Sequence, residues 1–201
     1  MMLPRHRPVV RALRAAGLFM LSVLLFLGGA YAYVHGGGNF HAVERGVIYR
    51  SSWLGAEGLE KAIVRQGVKS VLNLCGERPG DGWYEGETSV ARRRGIVFRS
   101  LSFSANVELD AKQMAELVDI LRSAPKPLLI HCRAGSDRTG LASAIYVALR
   151  GGSLRDAQDQ LSLYYGHFPY FGSKSVAMDV TLERFYPSVA NRQVVSQAEV
   201  R

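Results

Sequence analysis

The 201-residue chain has only two cysteines, Cys75 and Cys132. That is too few for a disulfide framework, and their spacing is not that of a zinc site. No stretch interleaves aromatic with basic residues as a nucleic-acid platform would, so RNA and DNA are not expected partners. There is no internal repeat and no low-complexity tract, which sets aside solenoids and fibrous classes. Acidic residues are absent from residues 1 to 34, where Arg5, Arg7, Arg11 and Arg14 lie. Half of the formal net charge of +8 therefore belongs to this end. The modest surplus that remains suits anionic ligands, and equally a solvated surface. With 48% apolar and 21% charged residues, the composition is that of a globular protein with room for one domain and accessory ends.

The same end carries a long apolar run. From Ala15 to Val34 twenty residues pass without a charge, enough to cross a bilayer as a helix. Arginines precede it and none follows closely, so the positive-inside rule places the N-terminus in the cytoplasm and the rest of the chain in the periplasm or outside the cell. A cleaved signal peptide is the alternative, since Ala30-Tyr31-Ala32 has the small-x-small form of a cleavage site. Cleavage would leave a secreted protein, and both readings export the domain. The expected organisation is a basic segment 1–14, a transmembrane helix or signal peptide 15–34, a glycine linker 35–38, a folded domain 39–187 and a flexible tail 188–201.

Within that domain, short β-branched runs bounded by glycine and charge alternate with helical periodicity. This is the pattern of an α/β fold with a largely parallel central sheet flanked by helices. Strands are predicted at 47–50, 70–74, 97–101 and 128–131. Helices are predicted at 58–66, 82–94, 110–123, 139–150, 154–165 and 174–186. Asp110 ahead of Met114, Leu117, Val118 and Leu121 is a capping residue before an apolar stripe.

The residues that carry chemistry follow the last predicted strand, His131-Cys132-Arg133-Ala134-Gly135-Ser136-Asp137-Arg138-Thr139. A tight loop between a strand and a helix N-terminus is a phosphate cradle. Loop N–H groups of Arg133, Ala134, Gly135 and Ser136 face inward, the helix dipole adds positive potential, and Gly135 lets the chain curl. The same field favours a thiolate at Cys132, the form of cysteine that is a nucleophile. Arg138 can fork two hydrogen bonds onto phosphoryl oxygens and follow them into the transition state. Thr139 can hydrogen-bond the departing sulfur, and His131 is expected to orient the loop.

These residues resemble the signature of the cysteine-dependent protein tyrosine and dual-specificity phosphatase superfamily: His-Cys, five residues, Arg, then Ser or Thr. The order of Asn39-Phe40, Gly46 to Ser51, Ser70 to Leu74 and the cradle is similar to small bacterial members of the dual-specificity type. The resemblance implies that family's fold and hydrolysis of phosphate monoesters through a phosphocysteine, with no cofactor and no metal. It makes phosphotyrosine or mixed phosphoprotein substrates the first expectation. Phosphoinositides or inositol phosphates come second, from Asp137, Cys75 and the basic rim at Arg133. Asn73-Leu74-Cys75-Gly76-Glu77-Arg78 looks like the corresponding strand end of the phosphatase and tensin homologue. That likeness implies a possible disulfide between Cys75 and Cys132; the alternative is a small buried side chain filling the strand end.

The general acid is ambiguous. Lining up Phe103 with its lipid-phosphatase counterpart puts Ala105 where the family's aspartate belongs. Asp137 matches the position proposed as the acid in myotubularin lipid phosphatases, and an anionic substrate beside it favours its protonated form. An Asp137 turned outward to a basic neighbour is the competing reading. Asp110 and Glu108 are further alternatives, and Asp81 reads first as a turn aspartate and second as an acid delivered by a mobile loop. Two other classes stay open, a rhodanese-like sulfurtransferase and a phosphate-binding module without turnover.

Overall fold

The computed structural model describes residues 6–198, which divide into a unit up to Gly37 and a second from Gly38 onward. The first is one helix, α1 (His6–Gly36). Its segment Val10–Gly29 has a mean hydropathy of 1.9 and lies wholly uncovered by protein. It is long and apolar enough to cross a membrane. The segment begins before the expected Ala15 because an apolar helix tolerates Arg11 and Arg14 near one end, where long basic side chains reach the polar interface. The helix also absorbs His35 and Gly36 from the expected linker.

In the second unit, five strands form one sheet in the order β1-β2-β5-β3-β4. The strands are β1 (His41–Glu44), β2 (Ile48–Ser52), β3 (Ser70–Asn73), β4 (Val97–Ser100) and β5 (Leu128–Cys132). Only β1 runs antiparallel, turning into β2 through Glu44 to Val47. The others are parallel. The expected α/β fold with a mostly parallel sheet is what forms, with β1 added. Its four residues, His-Ala-Val-Glu, alternate too briefly at a sheet edge to announce a strand.

Period-two alternation divides the core. Tyr49, Val71 and Leu129 pack with Leu59, Ala62 and Val90 on one face, beneath α2 (Gly55–Gln66) and α3 (Gly82–Arg94). Ile48, Leu72 and Ile130 face Leu117, Leu121, Leu141, Ile145 and Leu182 on the other. That side is covered by α4 (Ala111–Ser123), α5 (Asp137–Leu149), α6 (Leu154–Gln158) and α7 (Ala177–Ala198). As a doubly covered parallel sheet requires, β3 and β5 are buried at every position.

Two helix ends depart from expectation. The predicted helix 154–165 stops at Gln158, and Leu163–Tyr165 form a separate 3-10 turn. The backbone carbonyls of Gln160 and Tyr165 leave the helical ladder to accept bonds from Arg50, Asn39 and Ser136. At the other end, α7 runs through Pro187 instead of ending before it. Val189, only 4% exposed, packs into the core beyond the proline and holds the helix on its course. The expected flexible tail therefore starts as helix, while its residues 199–201 lie outside the described part.

Candidate active site

Strand β5 sits between β2 and β3 and ends at Cys132, paired with Ser52; His131 pairs with both Ser51 and Asn73. Ligands of open parallel sheets sit at the carboxyl ends of the strands, where connections leave in opposite directions. Residues 133–136 cross that end, and α5 opens at Asp137. Cys132 is 3% exposed.

The loop is held from behind. Asn39 Nδ2 donates to the Ala134 carbonyl at 3.0 Å. Arg50 Nη2 donates to the Gly135 carbonyl at 2.9 Å and lies 3.5 Å from that of Ser136. The Ser136 hydroxyl donates to the Tyr165 carbonyl at 2.7 Å. A trans peptide points its C=O and N–H in opposite directions. Tying these carbonyls to the rear therefore turns the N–H groups of Gly135, Ser136 and Asp137 away from those partners, as an anion cradle needs. Gly135 has φ +75°, and a Cβ there would come within 2.6 Å of the Ser51 and Ser52 backbone, so the site admits only glycine.

Arg50 is fully buried and lies 3.7 Å from the Tyr165 ring centre. Burial pushes its pKa down to about 10, opposed by Tyr165 and Cys132, which leaves it charged at neutral pH. Asn39, 2% exposed, takes a left-handed backbone conformation that asparagine tolerates better than most residues. Neither emerged from the sequence as a site residue. The available signal for Arg50 was a charge inside an apolar parallel strand.

The expected site residues separate into two groups. Arg138, Arg133 and Cys75 line one cleft of about 270 Å³ together with Trp53, Arg78, Asp81 and Trp83. Arg138 Nη1 donates to the Leu74 carbonyl at 2.9 Å. Arg133 lies 5.8 Å over Trp53, whose indole packs on that of Trp83 at 4.6 Å. Cys75 and Cys132 are both free thiols. Burial pushes the Cys75 thiol up, against the pull of the Arg138 charge and an N–H from Arg133. Thr139 is fully buried, and its hydroxyl has no hydrogen-bond partner among the described residues. His131 Nε2 lies 3.2 Å from Glu87 of α3, a buried carboxylate that also accepts from the N–H groups of Leu54 and Gly55. Burial raises the Glu87 pKa, but His131 and those N–H groups outweigh it and hold the carboxyl below its ordinary value.

The other expected acids are engaged elsewhere. Asp110 completes a capping box with Gln113 at the start of α4. Glu108 pairs with Arg184 at 2.7 Å. Asp137 lies 2.7 Å from Nδ1 of His167, whose Nε2 is 2.9 Å from Asp179 of α7. Held between two carboxylates, the fully buried His167 is raised to about 9 despite its burial. A raised folded pKa gives stability that is complete below about pH 6.5 and lost as pH rises through about 9. The shift is worth up to roughly 3 kcal/mol. The unfolding midpoint should therefore fall between those pH values, and His167→Gln should flatten the fall; a wild-type midpoint constant across that window would refute the pairing.

The tyrosine phosphatase family model matches residues 84–158, which span α3 to α6 and contain the whole loop. The catalytic core of the PP-IP phosphatase Siw14 from S. cerevisiae shares 25% identity, with 77% of this chain and 91% of that one covered and a TM-score of 0.58. TpbA of P. aeruginosa has the same fold at 18% identity, covering 78% and 91%, with a TM-score of 0.57. So does PTPMT1 at 14%, covering 77% and 98%, with a TM-score of 0.61. Among curated protein sequences none matches. Signature, matched segment and fold agree: the loop lies within a segment similar to the tyrosine phosphatase family, and the unit that carries it has the fold of these solved phosphatase structures.

Proposed function

We propose that the chain hydrolyses phosphate monoesters with Cys132 as nucleophile, and that its preferred substrates carry more than one phosphate on a compact ring, as inositol phosphates and phosphoinositide headgroups do. Cys132 attacks phosphorus, the loop N–H groups and Arg138 hold the three phosphoryl oxygens, and Thr139 supports the sulfur when water releases phosphate. His131, braced by Glu87, keeps the strand end in place.

The observation that carries the substrate reading is the cleft's charge. Arg78, Arg133 and Arg138 line it against the single carboxylate of Asp81. One phosphate dianion is satisfied by Arg138 and the loop, so the two further guanidiniums suit further phosphates. This reverses the order expected from the signature, which put phosphoproteins first. Phosphotyrosine remains the second reading, because the packed indoles of Trp53 and Trp83 offer an aromatic wall. The solved structures named above include one described as a PP-IP phosphatase, and TpbA has also been crystallised with phosphotyrosine.

The proposal places α1 across a membrane with the arginine-bearing end in the cytoplasm and the catalytic unit, from Gly38 onward, on the far side. A single assay addresses topology and substrate. Sealed spheroplasts expressing the full chain receive inositol polyphosphate, phosphotyrosine peptide or p-nitrophenyl phosphate from outside. Hydrolysis without lysis is expected, fastest per mole for the inositol polyphosphate. Arg78→Ala and Arg133→Ala should each raise its KM about tenfold, on the order of one charge-assisted hydrogen bond, while changing KM for p-nitrophenyl phosphate about twofold. Activity seen only after lysis would overturn the topology. Equal effects of the two substitutions on all substrates would overturn the polyanion reading.

A further inference from the structure

The geometry points to Asp81 as the group that protonates the leaving oxygen, delivered to the cleft by the turn before α3. This rests on the phosphocysteine reading above and names the acid that the family's usual position, occupied here by Ala105, does not supply.

Asp81 is the one carboxylate among the described residues that line the cleft with Arg138, Arg133 and Cys75. Its placement follows from local chemistry. Arg78-Pro79-Gly80-Asp81 closes as a β-turn, with the Asp81 N–H donating to the Arg78 carbonyl at 3.1 Å. Proline stands at its second position and Gly80, φ +91°, at its third, where a type II turn requires a positive φ. The two ends of such a turn lie close together, which brings Arg78 and Asp81 side by side to the cleft.

Asp81 then occupies the N-cap of α3, where an aspartate ordinarily accepts from a backbone N–H of the first turn. It does not do so here: its side chain makes no cap bond. Instead Oδ2 accepts from the indole Nε1 of Trp83 at 3.3 Å, from a ring that lines the same cleft. Trp83 is half-buried against the core and meets the His131 ring edge-on at 6.4 Å. The indole thus steers the carboxyl toward the cleft from a fixed wall, while the exposed turn leaves it open to substrate and solvent. Asp110, Glu108 and Asp137 have partners outside the cleft, a helix start, Arg184 and His167.

In the first step, the Cys132 thiolate forms an S–P bond as the P–O bond to the leaving group breaks. The Asp81 carboxylic acid gives that oxygen its proton, releasing an alcohol or phenol. In the second, the Asp81 carboxylate takes a proton from water as its oxygen attacks phosphorus. Inorganic phosphate leaves, the S–P bond breaks to restore the thiolate, and the carboxyl is again protonated.

The test compares full-length wild type, Asp81→Asn and Asp137→Asn on an alkyl phosphate and on p-nitrophenyl phosphate across pH. An alkoxide needs the proton far more than p-nitrophenolate does. Asp81→Asn is therefore expected to lower kcat for the alkyl ester by about 10²–10³-fold, as loss of a general acid does. For p-nitrophenyl phosphate the loss should stay below about tenfold, and the basic limb of the alkyl pH profile should flatten. The unfolding midpoint should be unchanged, since the side chain is exposed and caps nothing. The assignment is overturned if Asp81→Asn leaves alkyl turnover within threefold of wild type, or if the leaving-group-dependent loss appears in Asp137→Asn instead; in both cases the phosphatase reading stands. A wild type inactive on every ester overturns that reading as well.

Discussion

Cys132→Ser will lose turnover of p-nitrophenyl phosphate by on the order of 10⁵-fold, the scale on which removing a nucleophile that works as part of a unit is felt. Serine has the shape of cysteine and is slightly smaller, and Cys132 is already buried at the end of β5, so the strand and loop should be undisturbed. What changes is the attacking atom, from a thiol readily made a thiolate to a hydroxyl that is a weak nucleophile without an adjacent base. His131 supplies no such base, because its Nδ1 makes no hydrogen bond to Cys132 or any other described residue and its Nε2 lies against Glu87. The cradle itself remains, since Arg138 and the loop N–H groups are untouched. Calorimetric binding of a multiply phosphorylated inositol should therefore persist within about threefold, and the unfolding midpoint should stay within a degree or two. This pairing of lost turnover with kept binding separates an enzyme from a phosphate-binding module. Residual activity within tenfold of wild type would move the nucleophile elsewhere, and thiosulfate-to-cyanide transfer by the wild type would revive the sulfurtransferase reading.

The segment that carries the chemistry was also the most legible. Leu128 to His131 reads as a strand, the glycine at 135 as a tight loop and Thr139 onward as a helix, because each is specified by its own few residues. The structure moves those boundaries by two residues at most. The helix expected over 82–94 has the same bounds as α3, from the Gly82 start to the arginine-rich end before Gly95. The residues behind the loop were not legible. Glu87 sits in a helix that reads as a solvated surface, and its partner His131 lies 44 positions on in another layer. His167 follows a 3-10 turn that a helical period could not foresee, and its two carboxylates come from α5 and α7. In the sequence Asp137 reads as a group beside the substrate, whereas the fold sets it against His167 from a distant segment. Long-range polar pairing leaves no periodic trace in a sequence. Asp81, by contrast, was visible as a turn aspartate; what the sequence lacked was the company of Arg138 and Trp83 in one cleft.

Arg50→Met is expected to be the most damaging change outside the reacting groups. The guanidinium is fully buried and supplies bonds to the Gln160 carbonyl at 2.8 Å, the Gln160 side chain at 2.9 Å and the Gly135 carbonyl at 2.9 Å. Methionine fills much of the volume but donates nothing, leaving buried carbonyls without partners. Hydrogen bonds to a charged group are worth about 1.5–3 kcal/mol each, and stranded acceptors add their own desolvation cost. A loss of roughly 3–5 kcal/mol follows, which for a domain of this size lowers the unfolding midpoint by on the order of 10 °C. Activity should fall further than stability alone explains. The Gly135 carbonyl, freed from the rear, can rotate its peptide and turn the N–H of Ser136 out of the cradle. At a temperature where the variant is still folded, kcat should therefore drop by about 10²-fold, as when one oxyanion donor is lost. Arg50→Lys separates the two effects. It keeps the positive charge behind Cys132 but cannot reach Gln160 and Gly135 at once, since a single ammonium lacks the planar fork. It should recover part of the stability and little of the rate. Full activity in folded Arg50→Met would show that the loop holds its shape without the arginine, and that the rear hydrogen bonds do not set the direction of its N–H groups.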